Sequence, residues 1–373
     1  MKLLIILKKE LTDQIRDKRT IIAAVLMPAL IVPMLLFLTT RNISGDEAYP
    51  ASRVIIINDD SRIKEIILKT YGDTQLITSE SPQDAITRGE ADILVDFIKS
   101  GDSYNSLTLY YDSAGRGSMA AYLKFYDLFD SSFNRSKIIS ENVKITSLTI
   151  RSEKEGKTLL TLSMLLPVLL MVFAASSTMS GSVDMSAGEK ERATIETLLS
   201  CSISHRTIIL GKVLASSSIG FASILSLLAG LVISSHFYPA ITGGLSLLGF
   251  CGYKNLSLIL FVISIAIFMF SSAGMAIGLY AKSVKEGTIL ILPVIILSSA
   301  LSSGLIATDP FNVNRLFSMV PILNISHLLR SAVYNNFEPV FFIISILTSI
   351  VFTTIFLIAG TLLLKKESVI FRS

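Results

Sequence analysis

Charge is missing from this chain in blocks. Windows of about twenty residues, opening near positions 20, 158, 207, 256, 288 and 339, hold almost nothing ionisable between their ends. A helix needs about 20 apolar residues to cross a hydrocarbon core of about 30 Å. Inside that core each backbone N–H and C=O must be paired within the chain, and a helix does this with no outside partner. Over all 373 residues only 17% are charged, against about 25% in soluble domains. The pattern specifies a polytopic α-helical membrane protein of six transmembrane helices, with one long polar insert between the first and second spans.

The spans are expected at about 20–40, 158–180, 207–234, 256–281, 288–307 and 339–364. Ahead of the first, Leu3, Leu4, Leu7, Leu11 and Ile15 recur at roughly helical spacing among Lys8, Lys9, Arg16, Lys18 and Arg19. They read as an amphipathic helix in the headgroup layer, with an ordinary basic flank as the plainer alternative. Pro28 and Pro33 are tolerable in a membrane helix whose neighbours take up the freed carbonyls. The first window is a signal anchor, because Thr39-Thr40-Arg41 is no small-residue cleavage site. The stretch 308–337, with two Pro and several Asn, reads as a loop that partly re-enters the membrane, and His327 as a loop or interface residue.

Lys and Arg fix the orientation. The N-terminal cluster, Lys190, Arg192, Arg206, Lys282, Lys285, Lys365, Lys366 and Arg372 fall on one side, and the short loops of the other hold Lys254, Arg315 and Arg330. The positive-inside rule puts both termini in the cytoplasm of a plasma-membrane protein and residues 42–157 outside it. The domains are then 1–41 (N-terminal helix and first span), 42–157 (extracytoplasmic domain) and 158–373 (five spans, with a cytoplasmic segment at 184–206). The net charge of +4 belongs to these flanks and is no nucleic-acid signal. Cys201 and Cys251 fall on opposite faces, so no disulfide framework is implied.

The insert is expected to be a small α/β or α+β domain. Val54-Ile55-Ile56-Ile57, Asp92 to Phe97 and Leu107 to Tyr111 read as strands. A helix begins at Asp60 or Ser61, a second at Ser81-Pro82, and 117–150 reads as mostly helical.

One charged stretch stands apart, Gly188-Glu189-Lys190-Glu191-Arg192-Ala193-Thr194-Ile195-Glu196-Thr197-Leu198-Leu199, at the cytoplasmic end of the second span. Ile195, Leu198 and Leu199 share a helical face at i, i+3, i+4 spacing, while Glu191 and Glu196 project elsewhere. A short helix of this kind lying along the membrane suits a groove in a cytosolic partner. A solvated interfacial loop is the alternative.

The run Glu189-Lys190-Glu191-Arg192-x-Thr194-x-Glu196-x-Leu198-Leu199, followed by Ile203-Ser204 and Ile208-Ile209-x-Gly211-Lys212, resembles the coupling segment of type-2 ABC exporter permeases. The order of spans around a large outer insert is similar to the NatB-like, sodium-efflux subgroup. Gly89-Glu90-Ala91-Asp92-Ile93-Leu94-Val95-Asp96-Phe97, Pro321-x-Leu323-Asn324 and the tail Glu367 to Arg372 fit that subgroup too. Family members usually carry Pro where this chain has Ser202.

The resemblance implies a permease subunit that works as a pair with an identical or related chain. A separate ABC ATP-binding subunit would carry ATP and Mg and touch Glu189, Lys190, Glu191, Arg192, Thr194, Glu196, Leu198, Leu199 and Ser204. The chain itself has no phosphate-binding loop, since Arg151 and Arg206 stand where the first Gly of a GxxxxGK motif would precede Lys157 and Lys212. Catalytic, cofactor and metal residues are expected to be absent. His205, His236 and His327 are too scattered for a metal site.

Scarce intramembrane charge disfavours a proton-coupled carrier. The hydroxyls of Ser271, Ser272, Ser298, Ser299, Ser302 and Ser303 serve either helix packing or a passing hard cation. Export of a drug, lipid or peptide is the alternative within the family. A membrane sensor or scaffold with an outer ligand-binding domain is the alternative of another class. The turn 282–287 is either a second contact with the ATPase or a plain hairpin turn.

Overall fold

The structure, a computed structural model, describes residues 2–39, 52–57, 64, 67–69, 74–79, 81–100, 103–135, 144–150, 153–201, 203–237, 247–305, 315–334, 336 and 338–366. It divides into two compact units. One contains residues 1–41, 163–239 and 244–373, the other 42–162 and 240–243.

The first unit is helical. Its elements are α1 (Lys2–Arg16), α2 (Lys18–Ile21), a π-helical turn (Ile22–Leu26) and α3 (Met27–Thr39). Among the described residues five helices are long and apolar enough to cross a membrane: Leu162–Glu191, His205–Ser234, Tyr253–Tyr280, Val284–Gly304 and Pro339–Leu363. They match the expected second to sixth spans. The first window differs, for among the described residues its apolar helix, Ile22–Ile31, is shorter than a span. Pro28 has no N–H to give Ala24 and its ring crowds that carbonyl. The chain answers by widening the turn just ahead, where Met27 N–H bonds to Ile22 O. The Ser226 hydroxyl covers a carbonyl of this turn, that of Val25.

The helix of the second span, α6 (Glu153–Glu191, named after the insert's α4 and α5 below), does not stop at the membrane face. The 30 residues from Leu162 to Glu191 reach about 45 Å, beyond a core of about 30 Å. Short α7 (Thr194–Ser200) follows, then α8 (His205–Phe237), α9 (Leu247–Tyr280), α10 (Val284–Gly304), α11 (Pro321–Tyr334) and α12 (Pro339–Leu363). Helices α6 and α9 touch through their backbones. A Cβ on Gly274 would come within 2.8 Å of Met179 Cα, and one on Gly278 within 3.0 Å of Val183 Cα. Only glycine allows that approach, and without it the pair would lose the packing that holds helices together in lipid.

Beside this crossing, three helices share a hydroxyl node. Ser182 Oγ donates to Ser216 Oγ at 2.9 Å and Ser271 Oγ to Val213 O at 2.8 Å, while Ser216 and Ser271 bond to each other. Four more serines of the spans are hydrogen-bonded, three of them to a carbonyl of their own helix, whereas the buried hydroxyls of Ser217 and Ser223 have no partner among the described residues. Ser272 donates to Met269 O, Ser298 to Ile295 O and Ser303 to Ala300 O, and Ser302 pairs with Ser326 at 2.7 Å. Of the hydroxyls weighed above, those of Ser271 and Ser302 bond to a neighbouring helix and fit the packing reading.

The stretch expected as a loop is helix α11, entered through Pro321 after a 3₁₀ turn at Arg315–Met319. Its 14 residues are too few to span. Asn324 Nδ2 donates to Ser318 O at 2.9 Å and Thr348 Oγ1 at 2.8 Å, and Arg330 Nη1 donates to Leu305 O at the end of α10. Tertiary partners thus hold a polar sequence helical. His327 is correspondingly a buried helix residue, edge-on to Phe341 at 4.7 Å. Burial, and then the nearby Arg330 cation, pull its pKa down to about 4.

The second unit is the α/β insert. Its sheet runs β2 (Gln75–Leu76), β1 (Arg53–Ile57), β3 (Ile93–Ser100), β4 (Ser103–Tyr111), β5 (Lys144–Thr149). Neighbours are parallel except the β3–β4 hairpin. Period-two alternation sends Val54, Val95 and Phe97 to one face, against Phe125 and Phe129 of α5 (Arg116–Arg135). Ile55 and Leu94 face the other side, against Ala85 and Ile86 of α4 (Pro82–Thr87). Gly89, at φ 67°, ends α4 in the left-handed region.

The three expected strands and the Pro82 helix start are present. The helical reading of 117–150 is corrected at its end, where Lys144–Thr149 is a strand lying parallel to β4. Lys-Ile-Thr-Ser-Leu-Thr is rich in β-branched residues and suits that edge. The helix expected from Asp60 or Ser61 lies largely outside the described residues.

Candidate functional site

The charged segment begins as the last turns of α6. Gly188 O accepts from Arg192 N at 3.1 Å, and Lys190 O from Ala193 N at 3.0 Å. Ala193 then turns left-handed, φ 54° and ψ 20°, the one non-glycine among the described residues with positive φ. Thr194 Oγ1 donates to Glu189 O at 3.3 Å, covering a carbonyl the helix end leaves open. Helix α7 runs to Ser200. Ser204 then caps α8, its Oγ accepting Thr207 N at 3.3 Å, the usual service of Ser at that position. Residues 188–200 are therefore the last turn of α6 and the short helix α7, joined at Ala193. Ser202 lies outside the described residues.

Glu189 and Lys190 point into the protein. Glu189 is buried and meets Lys9 at 2.5 Å and Lys212 at 2.8 Å. Buried Lys212 donates to Glu10 at 2.8 Å and to Met185 O at 2.9 Å, and forms an ion pair with Glu189 Oε2 at 2.8 Å. Lys9 also reaches Glu10, at 3.2 Å. Two cations and two anions cancel, tying α1, α6 and α8 together. Burial works against the charge on Lys9, but the carboxylates of Glu189 and Glu10 outweigh it and raise the Lys9 pKa.

Lys190 extends to the carbonyls of Leu279 and Ala281, placing a cation where the C-terminus of α9 is negative. Glu191 Oε2 accepts Val284 N at 3.4 Å, at the positive start of α10. Ser283 caps α10 through Glu286 N, and Glu286 returns to Lys282 N at 2.8 Å, a variant of the capping box. The turn expected at 282–287 is thus a capped helix start pinned to the end of α6.

The apolar stripe expected to meet a partner faces the other way. Ile195 is buried among Ile6, Met185, Ile208 and Ile209, and half-buried Leu198 and Leu199 pack on the same cluster. Covering three apolar side chains with the chain's own core is the more favourable placement in water. The outward surface is left to Glu191, Arg192, Thr194, Glu196, Thr197, Ser200, Ser204 and Arg206. Asp184 and Arg192 pair at 3.5 Å, too exposed to matter much for stability.

Sequence reasoning placed Lys212 in the motif that follows the segment but gave it no partner, and did not bring Lys9 and Glu10 to this site. Two signals were available. Ile6, Glu10 and Gln14 recur every four residues and form the buried face of α1, while Leu4, Ile5 and Ile15 are exposed. Lys212 stands inside an apolar span, where a charge needs a partner. Among the described residues no group of three His, Cys, Asp or Glu is placed to hold a metal ion.

A bundle of apolar helices with a short amphipathic helix clamped to the end of one of them marks the chain as a multi-pass membrane protein. The family model described as ABC-2 family transporter protein matches residues 18–362, and the chain belongs to that family. Subunits of this kind are the membrane components of ABC transporters, distinct from the ATPases. Among curated proteins, the ABC transporter permease protein NatB of Bacillus subtilis (strain 168) is 26% identical over 360 residues, covering 90% of each chain. No solved structure matches the chain.

Proposed function

We propose that this permease is driven by a separate ATP-binding subunit that binds the outward surface of residues 191–206 and moves it as a lever. The observation that carries the reading is the division of the segment into two sides. Glu189, Lys190 and Ile195 lock it to α1, α8 and the end of α9, and Glu191 to the start of α10, while Arg192, Thr194, Glu196 and Ser204 stay exposed. A force on the exposed side would reach four helices together. The partner must bind two permease states with different affinity, since equal binding would shift nothing.

In this reading the segment is cytoplasmic, 18–39 completes a sixth crossing, the α/β insert lies outside, and a second permease copy or relative completes the pathway. The cargo is sodium, following the resemblance to the sodium-efflux subgroup. The test reverses charge on the exposed side alone. Arg192→Glu with Glu196→Lys is expected to leave insertion and melting unchanged and to cut coupled ATP hydrolysis about tenfold, the worth of about 1.4 kcal/mol. Unaltered coupling with the co-purified ATPase would sink the assignment. Labelled-sodium flux in ATP-loaded vesicles, against vesicles lacking the ATPase, decides the cargo.

A further inference from the structure

At the end of α9 away from Lys190, a slot of about 370 Å³ opens between α9 and α11. Lys254, Asn255, Ser257, Leu258 and Phe261 form its α9 wall, and Ser331 and Ala332 its α11 wall. Of the α9 residues, Lys254, Ser257, Leu258 and Phe261 stand at i, i+3, i+4 and i+7, one face of a helix, with Asn255 at its edge. Polarity is graded along that face. Lys254 is the second residue of the membrane-crossing stretch Tyr253–Tyr280, at the level of headgroups. Leu258 and Phe261 lie up to about 10 Å deeper, and Phe261 is half exposed. The Lys254 ammonium has no ion-pair partner among the described residues. Ser331, buried and hydrogen-bonded to His327 Nε2 at 3.1 Å, adds a fixed hydroxyl to the opposite wall.

We propose that this slot binds one anionic phospholipid, its phosphate at Lys254 and its acyl chain along Leu258 and Phe261. A cation above an apolar channel matches an amphiphile with an anionic head. A soluble phosphate would use the upper half and leave the apolar half uncovered. The site stands at the opposite end of α9 from the ATPase surface proposed above and does not depend on the cargo. Lipid bound there bridges α9 to α11.

The chain contains no Trp, so Phe261→Trp provides a single fluorescent reporter inside the slot. In vesicles of matched composition, brominated phosphatidylglycerol should quench it about fivefold more effectively than brominated phosphatidylcholine, the preference one cation near a headgroup gives. Lys254→Glu should abolish that preference and Lys254→Arg keep it. Lys282→Glu, at the far end of α9, should leave it unchanged. Equal quenching by both lipids, or equal loss in the Lys282 and Lys254 variants, would overturn the proposal. Displacement by millimolar inorganic phosphate would overturn it too, in favour of a soluble anion. Should Phe261→Trp fail to insert, native mass spectrometry of the unmodified chain and of Lys254→Glu makes the same comparison. The first should retain phosphatidylglycerol and the second should not, and equal retention refutes the site.

Discussion

The two ends of α9 solve the same problem with different chemistry. At one end, Glu10, Glu189, Lys9 and Lys212 bring formal charge into the protein and cancel it pair by pair. At the other, α11 buries mainly neutral groups, Asn324 on a carbonyl and a hydroxyl, Ser326 on Ser302 and His327 on Ser331, with one cation, Arg330, held on the carbonyl of Leu305. A charge deprived of its partner stays in the interior as an uncompensated charge, whereas a dipole deprived of its partner leaves a weaker deficit. The first arrangement therefore fixes relative positions strictly. The neutral bonds of the second tolerate change, which suits a helix that packs beside a ligand-sized slot.

The sharpest test of the contrast is Lys212→Met. It leaves Glu10 and Glu189 with Lys9 alone, and should cost about 3–5 kcal/mol in detergent melting. Adding Glu10→Gln restores the charge balance and should recover much of that loss. A double variant as unstable as the single one would mean the charges are not coupled. Asn324→Leu, at the other end, should cost only about 1 kcal/mol by the same assay. A loss as large as that of Lys212→Met would erase the distinction.

Between these lies His327, whose loss should appear only in acid. Its pKa is about 4 in the folded chain against 6.5 for the free side chain. Between those values the unfolded chain binds more protons, so stability falls as pH falls, by at most about 3 kcal/mol near pH 4. His327→Gln should flatten that part of the melting profile relative to the parent, and other titrating groups cancel in the difference. Parallel profiles would show that His327 is not held neutral.

The same contrast explains what could be read in the sequence. The five long spans were legible because lipid demands a contiguous apolar window, a property of local sequence. The strands at Arg53–Ile57 and Ile93–Ser100 were legible from their β-branched and apolar runs. Helix α11 was not, because Asn324, His327 and Arg330 look like loop residues until Ser318, Phe341 and Leu305 are brought to them. The charged segment was legible as a place but not in its direction. Ile195 and Leu198 show a stripe, and nothing local says that it meets Ile6 and Ile208 of the same chain. Lys9 lies 180 positions from Glu189, and Glu10 lies 202 from Lys212, so their pairing is a property of the fold alone.

The smallest expected effect concerns the joint of the ionic end, Ala193. An L-residue in the left-handed region brings its Cβ against the following carbonyl, at a cost of about 1–2 kcal/mol. Glycine removes that clash but is freer in the unfolded chain, which takes back about 0.5–1 kcal/mol. Ala193→Gly should therefore raise stability by about 0.5 kcal/mol, the difference of the two. Ala193→Val, whose branched Cβ fits this region worst, should lower it. The α11 end, where no non-glycine residue among those described has positive φ, provides the control. Ala332→Gly in α11 keeps a helical backbone and should destabilise by about 0.5–1 kcal/mol. Opposite signs for one Ala→Gly exchange at the two ends of α9 would locate backbone strain at the α6–α7 joint, and equal signs would remove it.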